Sequence, residues 1–302
     1  MSSNSSASPL VGGFEAGGTH YKCVLGTAQG EILHSASFAT AGPEATIAQA
    51  LAFFAAHKGR LQALGIAHFG PIDIDRRSPG YGRILATPKP GWAGVDVLGR
   101  YRAALAVPVA FQSDVNAAAI GEGALGAAQG LRNFVYVTIG TGIGAGVVVD
   151  GRLLHEERHP EIGHMRIGRD AAADPYPGCC PFHGDCLEGL ASGPALQGRW
   201  QVPAEALAAE HPAWGLQAHY LATMCMNLAL SYAPQRIVLG GGVMQQPLMA
   251  GRIRARYLEL MQGYMAPFTA GALEQFICVS PMQGQAATRG ALILAGQALA
   301  AS

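Results

Sequence analysis

The chain has 302 residues, half of them hydrophobic and 13% charged, with twenty basic side chains set against twenty acidic ones. At roughly 150 residues per domain this makes two domains or one large one, with enough apolar material for a substantial core, which excludes a disordered tail. Zero net charge supplies no field for nucleic acid or an anionic membrane, so neither is an expected partner.

Read in chain order, Met1 to Pro9 is Ser-rich, without the basic and apolar regions of a signal peptide, and a cytoplasmic location is expected. Val11 to Leu33 reads as an apolar strand, a tight Gly17-Gly18 turn and a returning strand, Tyr21 to Leu25, closed by Gly30. Glu44 to His57 has apolar residues at helical spacing and precedes a short strand, Ala63 to Phe69. Phe134 to Leu154 repeats the opening layout: FVYVTI, the turn GTGIGAG, VVV, Asp150-Gly151 and Leu153-Leu154. This most apolar stretch is too short to span a bilayer. Leu216 to Tyr232 is a long apolar helix followed by a strand, Arg236 to Leu239, and the Ala/Leu-rich run Ala286 to Ala300 is a closing helix. Alternating strands and helices predict an α/β fold with two similar halves around a cleft.

Glycine is the compositional outlier, at 41 residues, and it gathers in three turns that follow apolar strands: Glu15 to Thr19 (EAGGT), Gly140 to Gly144 (GTGIG) and Gly240 to Gly242. Turns without side chains let successive backbone N–H groups converge on a phosphate oxygen. Any single turn reads equally as a tight hairpin. Three in one chain point to nucleotide phosphates, at a site that is neither a Walker loop nor a GxGxxG fingerprint. In SDVNAAAIGE, Asp114 stands where the strand VPVAF gives way to a helix. Ser113 or Asp114 can cap that helix. A carboxylate at the carboxyl end of a strand can also take a proton from a substrate hydroxyl, and Asn116 could bind a second one.

Cys180, His183 and Cys186 form C-x2-H-x2-C, a spacing that suits tetrahedral zinc. His164 is the best fourth ligand, His159 competes with it, and Cys179 could replace Cys180. A disulfide or uninvolved surface thiols are the other readings. A closed Cys2His2 set leaves no open position, so such a zinc would be structural and would shape the loop that carries Glu161 and Glu188. Cys23, Cys225 and Cys278 lie in apolar runs and are expected as buried core thiols. FGPID (Phe69 to Asp73) and TPKPGW (Thr87 to Trp92) read as ordered loops, either rigid surface or substrate contacts.

EAGGT, FGPID, TPKPGW, SDVNAA, TIGTGIGAG, HPEIGH, CPFHGDCLEGLASGP and RIVLGGGV stand in the order found in bacterial ROK fructokinases, which the chain resembles from about Gly12 to Gly290. Those enzymes belong to the sugar-kinase branch of the actin-like ATPase superfamily. The resemblance implies two RNase H-like lobes: a small one over 1–117, closed by the helix 286–302, and a large one over 118–285. Hexose and MgATP would lie between them. It implies ATP-dependent phosphorylation of D-fructose to fructose 6-phosphate, with Asp114 as general base on the 6-hydroxyl. Glu161, His164 and Glu188 match hexose-binding positions. Gly17, Gly18 and Thr19, Thr141 and Gly142, Pro194, and Gly240, Gly241 and Gly242 match the nucleotide site. His164, Cys180, His183 and Cys186 match a structural Zn2+ site. Asn116 does not fall on the family's sugar-binding asparagine, whose place Ser113 takes. A homodimer is also implied.

CPFHGDC favours the fructokinase branch over hexokinases for mannose, glucose or an N-acetylhexosamine. A repressor on this fold would need an N-terminal winged helix and is not expected, with the first strand read from near Val11; a non-catalytic sugar sensor is the remaining alternative. One residue departs from the family pattern: His20 follows EAGGT where a lysine is usual. Lysine is charged at any cellular pH, whereas a histidine side chain is mostly neutral near pH 7, so activity is expected to be weaker or more pH-dependent.

Overall fold

The computed structural model describes residues 9–155, 157–158, 160–265 and 269–302. The chain opens with three strands, β1 (Leu10–Ala16), β2 (His20–Thr27) and β3 (Ile32–Ala39), paired as an antiparallel meander. Helix α1 (Pro43–Ala55) leads to β4 (Leu61–His68), α2 (Val97–Leu105) leads to β5 (Val109–Ser113), and α3 (Asp114–Leu125) follows directly. The sheet order is β3-β2-β1-β4-β5, with β4 parallel to β1 and β5 parallel to β4.

The same plan then recurs. Strands β6 (Phe134–Ile139), β7 (Ile143–Val149) and β8 (Arg152–Leu153) form a second antiparallel meander. After α4 (Leu187–Ala191), α5 (Gly193–Trp200) and α6 (Ala213–Tyr232) comes β9 (Arg236–Gly240), parallel to β6. Helices α7 (Met249–Met261) and α8 (Ala270–Phe276) precede β10 (Ile277–Val279), parallel to β9, and α9 (Ala286–Ala300) ends the chain. Read outward from the meander, this sheet is β8-β7-β6-β9-β10, the order of the first. Two RNase H-like α/β units are therefore present, as the repeated layout in the sequence predicts. The first holds the described residues up to Leu125, 155, 157–158 and Gln285–Ser302; the second holds Gly126–Leu154 and the described residues from Pro160 to Gly284.

Each unit has its own core. In the first, Phe14 packs against Tyr101 with ring centroids 4.8 Å apart, and Phe54, Leu64 and Ile66 join them. Helix α1 starts at Pro43, whose missing N–H costs nothing in a first turn, and buries Ile47, Ala50 and Phe54 from one face. Helix α9 lies on β1, β4 and α3, and its small residues permit the approach: a Cβ on Gly290 would run into the Ala117 carbonyl. In the second unit, β6, β7 and β9 bury Val135, Val137, Ala145 and Leu239 against α6 and α7. Among the described residues no helix is long and apolar enough to cross a membrane.

Several elements depart from the sequence reading for local reasons. β3 is an edge strand with five of its eight residues exposed and none buried, so apolar periodicity does not mark it. The sequence reading also omits α2, α7, α8 and the three-residue β10, although α7 buries Met249, Ile253, Tyr257 and Met261 at four-residue spacing, with Arg252, Arg254 and Arg256 between them. Only Gly140–Gly142 of GTGIGAG is turn, because Gly144 and Gly146 lie inside β7. Cys23 and Cys225 are buried, as expected, but Cys278 on β10 is only partly so.

Candidate functional site

Open α/β sheets present ligand-binding groups at the carboxyl ends of their parallel strands, and the candidate residues of each unit emerge there. In the first unit Ala16, His68 and Ser113 are register partners across β1, β4 and β5. Gly17, Phe69 and Asp114 therefore leave the sheet side by side, at a strand spacing of about 4.8 Å. Asp114 is the first residue of α3 and half-buried, and its Oδ1 accepts the Val115 N–H at 2.8 Å. Ser113 Oγ accepts the Asn116 N–H at 3.3 Å, so both candidate caps are used. The Asn116 side chain is buried and donates to Gln112 Oε1 at 3.1 Å. The Gly17-Gly18-Thr19 turn closes through the Gly17 N–H to the His20 carbonyl at 2.9 Å. Thr40 clamps it from outside, giving its hydroxyl to the Gly17 carbonyl and its N–H to the Thr19 carbonyl, both at 2.8 Å.

In the second unit the Gly140–Gly142 turn meets the start of α5, where the Gly193 N–H donates to the Gly140 carbonyl at 2.8 Å. Ser192 caps α5 and Pro194 sits in its first turn. Gly240 pairs with Thr138, which puts Gly240–Gly242 beside the end of β6. Gly241 has φ +91°, and a Cβ there would run into the Ile139 backbone, so no other residue fits without strain. Thr141, Gly142, Pro194 and the Gly240–Gly242 turn thus gather at one end of this sheet. Glu188, in the first turn of α4, accepts the Ile143 N–H on Oε2 at 2.9 Å, and a Cβ on Gly142 would lie 2.7 Å from that oxygen. Glu161 precedes the single 3-10 turn Ile162–His164. Burial first, and the Glu188 charge second, push the Glu161 carboxyl up to about 7.

The candidate metal ligands converge. His164 Nδ1 lies 3.6 Å from both Cys180 Sγ and Cys186 Sγ, His183 Nδ1 lies 3.7 Å from Cys180 Sγ, and the two ring nitrogens are 3.2 Å apart. A tetrahedral zinc with Zn–S of about 2.3 Å and Zn–N of about 2.0–2.1 Å would set S···N edges of about 3.6 Å and N···N edges of about 3.3 Å. All four ligand atoms lie within 4.8 Å of one another, so the donor set fits zinc in chemistry and dimensions. The tetrad contains Cys180; the neighbouring Cys179 is exposed and faces Ser192 Oγ at 4.0 Å. His159 lies outside the described residues.

Asp174, between His164 and Cys180 in sequence, anchors this loop and was not visible as a functional residue. Arg199 of α5 grips it with Nε–Oδ1 and Nη2–Oδ2 distances of 3.0 Å, and the Tyr220 hydroxyl of α6 donates to Oδ2 at 2.5 Å. Burial alone would raise its carboxyl, but the Tyr220 and Arg199 bonds outweigh that and hold it below the usual range. These partners are 25 and 46 residues away, and no spacing rule connects them.

Two RNase H-like units of one plan, with glycine turns at their strand ends, make up a sugar-kinase fold. The ROK family's sequence profile matches residues 11–298, and the chain belongs to that family. It is 43% identical to a relative from Bacillus subtilis (strain 168) over 97% of both chains. It is 39% identical to the fructokinase of Lactococcus lactis subsp. cremoris, over 85% of this chain and 87% of that one. Among solved structures, a ROK family glucokinase from Streptomyces griseus in complex with glucose and AMPPNP superposes with TM-score 0.77 at 25% identity, covering 95% of this chain and 99% of that one.

Proposed function

We propose that this chain transfers the terminal phosphoryl group of MgATP to the 6-hydroxyl of D-fructose, giving D-fructose 6-phosphate. The observation that carries the reading is its identity to fructokinases, 39% for that of Lactococcus lactis and 37% for that of Zymomonas mobilis, across at least 85% of this chain. Hexokinases for other sugars are more distant, the Streptomyces griseus glucokinase at 25% among them.

Asp114 is the general base. Its carboxylate accepts the proton of the 6-hydroxyl as that oxygen bonds to the γ-phosphorus and the bond to the leaving ADP breaks. Phosphoryl transfer asks for positioning and charge stabilisation more than for covalent help. The turns Gly17–Thr19, Thr141–Gly142 and Gly240–Gly242, with Pro194 nearby, serve the nucleotide, with the Gly17 N–H kept for closing its own turn. Glu161 and Glu188 hold hexose hydroxyls. His164, Cys180, His183 and Cys186 would hold a Zn2+ that fixes the loop between Glu161 and Glu188 and leaves no site for a reactive water. With Nδ1 of His164 turned to the tetrad, its Nε2–H is the atom left to donate to a hexose hydroxyl. A cytoplasmic homodimer completes the reading.

The test is ATP consumption with MgATP against a panel of hexoses. Fructose turned over best, with turnover reduced about 10²–10⁴-fold in Asp114→Ala while hexose binding survives, is the expected result. Preference for another hexose would reassign the substrate, and full activity in the variant would remove Asp114 as the base.

A further inference from the structure

Lys89 is one of three lysines in the chain and stands between two prolines, Pro88 and Pro90. Its loop is held from several sides. The Lys89 N–H donates to Thr87 Oγ1 at 3.3 Å, its carbonyl accepts the Trp92 N–H at 3.3 Å, and the buried Trp92 indole donates to the Ala41 carbonyl at 3.0 Å. From this support the ammonium lies over the Phe69 ring, 5.7 Å from its centroid. It also lies against the glycine turn of the same unit: a Cβ on Gly18 would be 3.4 Å from Lys89 Cε and 3.9 Å from Nζ.

Two donors at this spot have nothing to donate to. Among the described residues no carboxylate pairs with Lys89, whereas Lys22 is bonded to Glu15 at 3.2 Å. The Gly18 N–H likewise makes no hydrogen bond among them. Partial burial lowers the Lys89 ammonium from its ordinary value, the direction expected when no counter-charge is present. A cation carried on a braced loop, close to a glycine turn whose Gly18 N–H has no partner among the described residues, suits an anion, and a compact ammonium is suited to phosphate oxygens.

We propose that Lys89 binds a phosphate of the nucleotide at the Gly17-Gly18-Thr19 turn, bringing a positive charge from a separate loop to a turn that is followed here by a histidine, His20. The inference rests on the phosphotransfer reading above.

The experiment is steady-state kinetics of the wild type, Lys89→Met, Lys89→Arg and the double variant His20→Lys/Lys89→Met, varying MgATP at saturating fructose and then the reverse. Thermal unfolding of each checks that it is folded. Losing one charge-assisted bond to phosphate should lower kcat/KM for MgATP about 10- to 100-fold in Lys89→Met, with KM for fructose changed by less than about twofold. Lys89→Arg should keep most of the activity, and the double variant should recover part of it. The proposal is overturned if Lys89→Met matches the wild type, if its loss falls on fructose, or if Arg and Met lose equally, which would mark a packing role. A wild type that consumes no ATP with any hexose overturns the phosphotransfer reading and Lys89 with it; an active wild type matched by Lys89→Met removes Lys89 alone.

Discussion

His68 makes the first unit sensitive to acid, and the size of the effect follows from its surroundings. It closes β4, is 0% exposed, and lies between the strand ends that carry Gly17 and Asp114. Nδ1–H donates to the Phe69 carbonyl at 3.0 Å, which leaves Nε2 to accept the Tyr21 hydroxyl at 2.9 Å. A second proton on the ring would point at that hydroxyl and place a charge among Tyr21, Phe69 and Trp92. Burial, offset in part by the Phe69 bond, lowers the imidazole from 6.5 to about 4. Between those values the unfolded chain holds a proton that the folded chain does not. Stability is therefore complete above 6.5 and falls with pH through that window, by ~1.36 kcal/mol per pH unit and about 3 kcal/mol in all. A domain's whole stability is typically ~5–15 kcal/mol, so the loss is large. His68→Gln cannot titrate, and its amide reaches the Nε2 position. Urea unfolding of both proteins at about pH 7, 5.5 and 4.5 should show the wild type losing ~2.5 kcal/mol more than the variant across the range. A wild-type-minus-variant difference that stays constant with pH would refute the argument.

Metal analysis of the purified chain should find one zinc per chain, lost with Cys186→Ala. If free metal stands at about 100 times its dissociation constant, chelation should cost about 2.7 kcal/mol and lower Tm by roughly 5–10 °C; an unchanged Tm after complete zinc removal would show that the tetrad does not support the fold. Asp174→Asn keeps the side-chain shape but leaves Arg199, whose side chain is 7% exposed, without its counter-charge. The expected loss in urea unfolding is about 3–5 kcal/mol, and a loss below about 1 kcal/mol would mean that the pair does not anchor the loop.

The sequence alone was enough for the class of fold, the doubling of its plan and the local chemistry of its turns, because these are short-range properties. FVYVTI and Tyr21–Leu25 are apolar runs interrupted by glycine, and the Asp114 junction is a strand meeting strong helix formers. The C-x2-H-x2-C spacing brings Cys180, His183 and Cys186 within reach of one ion by chain length alone. Edge elements with weak periodicity, β3 and β10 above all, were not legible, since little of their surface is buried. Only the tertiary structure decided which ring nitrogen of His164 meets the thiols, that Cys180 rather than Cys179 joins them, and that Asp174 is gripped by α5 and α6. It alone brought Lys89 to Gly18, seventy-one positions away in sequence. Such contacts depend on how strands pair and helices settle on them, which no pattern of neighbouring residues encodes.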